Sequence, residues 1–97
     1  MELLVNQVGH WQAARWAAPA AGSDVPRAAL VHRLVQEVAD LAAGAEGQPR
    51  REVPRLDNDL ALPDQLRVVA ADLAAARPAS AAVVRAAAEV TATRQAL

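Results

Sequence analysis

The sequence predicts an all-α fold, a compact up-and-down bundle of three to four helices, and three observations lead there. Alanine supplies 26 of the 97 residues. It is the strongest helix former and loses no side-chain entropy in a helix. Among the β-formers only Val is common, since Phe, Tyr and Ile are absent and aromatics make up 2% of the chain, which argues against a sheet. Finally, Leu and Val recur at intervals of three and four over two long segments, the spacing of one helix face.

The first helix is expected over about residues 7–18, capped by Asn6, with Leu4, Val8, Trp11 and Arg15 at helical spacing and Pro19 and Gly22 ending it. Gly9 weakens this segment. The second helix is the clearest, at about 25–43. Ser23 or Asp24 offers an N-cap and Pro26 fits the first turn. Val31, Leu34, Val38 and Leu41 form its stripe, Leu30, Val35 and Ala42 widen it, and Gly44 stands where a left-handed terminator belongs. A third helix is expected over 63–77. It starts at Pro63 and repeats Leu62, Leu66, Val69, Leu73 and Ala76, and Arg77-Pro78 ends it. The fourth spans 80–95, with Ser80 as its cap, a face of Val83, Ala87, Val90 and Leu97, and an Arg85–Glu89 pair. The short turn between the last two helices predicts an antiparallel hairpin.

The long connection, 44–62, combines Gly, Pro and mixed charge. Val53, Leu56, Leu60 and Leu62 predict that it docks onto the bundle, with a turn of helix near 57–61. All 97 residues fit one domain.

Composition also restricts function. The net charge is −1, all ten basic residues are Arg, and there is no Cys. Near-neutral charge is not the footprint of bulk nucleic-acid binding. The lack of Cys removes thiolate catalysis and Cys-ligated metal. The opening MELLVNQVGHW has neither a basic region nor a long apolar run, and no stretch is apolar enough to span a bilayer, so a soluble cytoplasmic protein is expected.

Candidate sites are few. His10 and His32 are the only histidines. His32 shares a helix face with Gln36, but no carboxylate completes a ligand set. Asp57, Asp59 and Asp64 are read as turn and cap residues rather than an acid–base pair. No catalytic constellation, cofactor motif or metal site is expected. Trp11 and Trp16 are candidate partner contacts. On a continuous helix they point about 140° apart, so one is expected in the core and the other partly exposed, with Arg15 stacking on Trp11. Arg50, Arg51 and Arg55 form the one basic cluster, a second candidate contact, diluted by Glu46, Glu52, Asp57 and Asp59.

Residues 69–85, VAADLAAARPASAAVVR, resemble a helix-turn-helix, with Ala and Leu in the first helix, a short turn and Ser before Val-Val-Arg. The resemblance implies nucleic-acid contact through Arg85 and Arg94. The turn lacks Gly, and the Ala70-to-Val83 spacing is a few residues too long. The preferred expectation is therefore a non-enzymatic protein–protein interaction or regulatory module. Its partner would be a protein, possibly a second copy in a homodimer, since the Leu/Val/Ala core is economical. A small DNA-binding or antitoxin-like regulator is the alternative.

Overall fold

A computed structural model describes residues 1–97 and has only helical elements. These are α1 (Glu2–Val8), α2 (Ala13–Ala17), α3 (Arg27–Glu46), a 3-10 turn (Asp59–Ala61), α4 (Leu62–Ala75) and α5 (Ser80–Ala96). The all-α bundle predicted from periodicity is what forms.

The centre is α3. Its predicted stripe is buried at Leu30, Val31, Leu34, Val35, Val38 and Ala42, with Leu41 half-buried. The helix runs past Gly44 to Glu46, because Gly47 is the residue that turns left-handed, at φ 69°. There the Gln48 N–H donates to Ala43 O at 2.9 Å, closing the helix end. At the other end Pro26 is the cap and no side chain caps. Ser23 instead accepts from the Val25 N–H, 3.0 Å away.

The expected single helix over 7–18 is two helices. Asn6 lies inside α1, and the chain breaks at Gly9 and His10 before restarting at Ala13. Gly9 sits so close to the preceding turn that a Cβ would meet Val5 O at 2.9 Å. The break lets Leu4, Val5 and Val8 from α1 and Trp16 from α2 all reach one core.

The bundle departs from simple up-and-down winding at one connection. After Gly47 the chain returns along α3 as an extended strap, so Val53 lies beside His32 and Gln36. It then enters α4, where Val69 and Asp72 lie beside Ala42, Ala43 and Glu46, and the following turn brings Ala79 next to Gly44 and Ala45. Thus α4 runs parallel to α3, and α5 returns antiparallel. Leu62, Leu66, Val69 and Leu73 are buried as their spacing predicts. Arg77 ends the helix in the left-handed region, at φ 51°.

The two last helices do not make the expected hairpin contact. Both pack on α3 and hardly touch each other. Of the expected α5 face, Val90 and Leu97 do turn inward, but Val83 and Ala87 do not. Val83 and Val84 are exposed, whereas Ala82, Ala86, Val90 and Leu97 turn inward. Ser80 is the first helical residue rather than the cap.

Candidate interaction surfaces

Three regions hold the residues that sequence reasoning singled out. The first is the Trp corner. Both indoles are buried, Trp11 at 5% exposure and Trp16 at 1%, which overturns the expectation that one is partly exposed. The 140° argument fails because Trp11 lies in the non-helical connection between α1 and α2, so no continuous helix carries both rings. The rings meet edge to face, centroids 5.0 Å apart at 65°, a favoured aromatic geometry. The Arg15 guanidinium covers Trp11 at 4.7 Å, as predicted, and Arg27 approaches the same ring at 5.9 Å. Arg27 Nε also donates to Leu97 O at 3.3 Å, tying this corner to the end of α5. Both indoles belong to the core cluster.

The second region is the strap. It is held by side chains of the helices binding its backbone. Gln36 Nε2 donates to Arg51 O at 2.9 Å, and Gln36 Oε1 accepts from the Val53 N–H at 2.7 Å. His32 Nε2 lies 3.0 Å from Val53 O, so it is the Nε2–H tautomer that donates there. From α4, Gln65 Nε2 donates to Pro54 O at 3.1 Å. The Val53 side chain is half-buried against the core, while Leu56 and Leu60 stay exposed. The shared face of His32 and Gln36 was the available signal for this clamp. The three strap arginines do not converge. Arg50 pairs with Asp40 at 3.2 Å, Arg55 with Asp59 at 2.9 Å, and the Arg51 guanidinium has no ion-pair partner. An open cleft of about 520 Å³ separates strap, α3 and α4, lined by Ala39, Ala42, Val53, Val69 and Asp72 among others. No three His, Asp or Glu side chains anywhere come together in a way that could hold a metal ion.

The third region is α5. Over 17 residues it buries one side chain, Val90. Arg85 Nε donates to Glu89 Oε1 at 2.9 Å, the i,i+4 pair predicted, and Arg94 Nε to Gln7 Oε1 of α1 at 3.3 Å. The outward side carries Ala81, Val84, Ala87, Ala88, Thr91 and Gln95, all exposed and none charged. Val84 is 68% exposed and Val83 50%. Comparison with protein-family profiles, curated proteins and solved structures finds no match to this chain.

Proposed function

We propose that the chain is a non-enzymatic interaction module that binds another protein through the outer face of α5, a second copy of itself being one such partner. The observation that carries this reading is the uncharged, Val- and Ala-rich outer face of a helix that buries only Val90. Surface area points the same way. The folded chain exposes 5884 Å². A monomer of 10.2 kDa ordinarily exposes about 5,300 Å². The excess of about 600 Å² is of the order that one partner covers in a small specific interface. A cytoplasmic location belongs to the same proposal; no helix is long and apolar enough to cross a membrane.

The DNA-binding alternative draws less support. α4 and α5 lie on α3 without packing on each other, whereas a helix-turn-helix presents its recognition helix from a packed pair. Arg85 and Arg94 are engaged by Glu89 and Gln7.

The test is capture of partners by the tagged chain, with and without nuclease, alongside Val84→Arg and sedimentation of the purified chain. The variant changes an exposed side chain, so its stability should stay within about 0.5 kcal/mol of the parent. A nuclease-resistant partner, or self-association, that the variant loses supports the proposal. A monomer whose partners are nuclease-sensitive, or unaffected by Val84→Arg, refutes it.

A further inference from the structure

The backbone of the strap alternates between two neighbours. The Arg51 C=O and the Val53 N–H meet the Gln36 amide, and the Val53 C=O meets His32, all on the α3 side. The Pro54 C=O goes the other way, to Gln65 of α4. This is the habit of a strand, whose successive residues bond along opposite edges. On the edge facing α3, the Gln36 amide fills the place of a neighbouring strand residue. The edge facing α4 is incomplete. Gln65 takes Pro54, but the N–H and C=O of Glu52, two residues earlier, have no partner in the chain.

That open edge borders the cleft of about 520 Å³ between strap, α3 and α4. The strap runs antiparallel to both helices, so stepping back from Pro54 to Glu52 leads past Gln65 toward Val69 and Asp72 of α4, which line the cleft. Ala39 and Ala42 of α3, with Val69, give it an apolar floor. One carboxylate comes from each wall, Glu46 from α3, Asp72 from α4 and Glu52 from the strap. None of the three forms a salt bridge. The only cation lining the cleft is Arg51. Because α3 and α4 are parallel, their C-termini lie at the same end of the bundle, and neither has a basic residue in its last turn. The partial negative charge of the two helix ends therefore adds to that of the carboxylates.

We propose that this cleft takes a short, extended, basic segment of a partner protein, which adds to the strap as a second strand. One residue of the segment exchanges both backbone hydrogen bonds with Glu52. An apolar side chain beside it covers Ala39, Ala42 and Val69, and Lys or Arg side chains meet Glu46, Glu52 and Asp72. Extended peptides bind open edges in this way, main-chain bonds giving affinity and side-chain pockets giving specificity. The pairing is short, because Pro49 and Pro54 bracket Glu52 and have no N–H to offer. The cleft is of the size that holds a ligand. No residue of α5 lines it, so this site and the α5 face are independent readings.

The probe is a blocked peptide alternating Val and Arg, titrated into the intact chain labelled with nitrogen-15. On binding, the Glu52 amide should shift and gain exchange protection, with Ala39 and Val69 shifting beside it. Glu52→Gln keeps the N–H and removes one charge, so binding should weaken about two- to fivefold. Glu52→Pro removes the N–H as well and should weaken binding by about a further tenfold. That N–H has no partner in the chain, so the Pro variant should keep the fold, and unchanged amide shifts in α3 and α4 check this. Glu46→Gln combined with Asp72→Asn leaves the strap untouched and should also weaken binding. Added salt should lower the affinity, and a peptide alternating Val and Glu should not bind. Val84→Arg should leave peptide binding unchanged, which separates this test from that of the α5 face. Absence of binding at millimolar peptide overturns the proposal, as does binding that leaves the Glu52 amide unmoved. Equal affinity of Glu52→Pro and Glu52→Gln also overturns it. So does spermine producing the same shifts, since the cleft would then be a site for cations alone.

Discussion

Replacing Gln36 by Ala should release the strap while leaving the helices folded. The side chain makes two bonds to strap backbone, to Arg51 O and from the Val53 N–H, and one to Asp40 on its own helix. Each neutral hydrogen bond contributes about 0.5–1.5 kcal/mol net. Asp40 keeps its pairing with Arg50, and the exposed Arg51 carbonyl can take water instead. The half-buried Val53 N–H is left without a partner, and that orphan carries most of the cost. Ala gains a few tenths of a kcal/mol in helix propensity. The net loss should be about 1–2 kcal/mol, which lowers Tm by roughly 5–15 °C for a chain of this size. Thermal unfolding followed by circular dichroism gives the magnitude. Amide exchange gives the place, because the Val53 N–H should lose protection before any amide of α3 or α4. Adding His32→Ala should cost less than the two single losses summed, since both side chains hold the same residue. A Tm change below about 2 °C, or unchanged protection at Val53, would refute the view that side-chain clamps rather than Val53 burial hold the strap.

Other outcomes follow from single residues. Trp16→Ala removes a fully buried indole that packs edge to face on Trp11. It should cost about 3–5 kcal/mol, much of the stability of a domain this small, so the denaturant midpoint should fall sharply or the chain should not fold. Arg77→Gly relieves an L-residue held at φ 51°. The left-handed conformation costs about 1–2 kcal/mol and the added chain freedom returns part of that, so chemical denaturation should report a gain of about 0.5–1 kcal/mol.

The parts of this fold that were legible in sequence are those where large and small side chains alternate around a helix. On α3 and α4 the Leu and Val stripes are flanked by charge, so only one face could turn inward, and that face is buried. On α5 the signal fails, because Ala occupies nearly every side and the helix has no strong preference for a face. Val83 was expected inside on spacing alone, yet contact with α3 is made one position earlier, at Ala82 and Ala86. The Trp pair was misjudged for a different reason. Angular separation has meaning only along an unbroken helix, and Trp11 stands in the non-helical connection before α2 begins at Ala13. The strap was expected to dock through four apolar residues, but Leu56 and Leu60 remain exposed. What docks it is a set of Gln and His side chains bonding to backbone, a pattern that leaves no periodicity to read.

The return path of the strap also bears on how the chain assembles. Two parallel neighbouring helices cannot be joined by a tight turn, so α4 can dock beside α3 only after a long loop has closed. The entropic cost of closure rises by only about 0.6 kcal/mol for each doubling of loop length. Extra residues in this segment are therefore thermodynamically cheap. The demanding step is registration, since the backbone at Arg51, Val53 and Pro54 must find Gln36, His32 and Gln65 together. Local helix formation in α3 and α4 can run ahead of that step. The slow event in folding is then the search of a short extended segment for its three clamps.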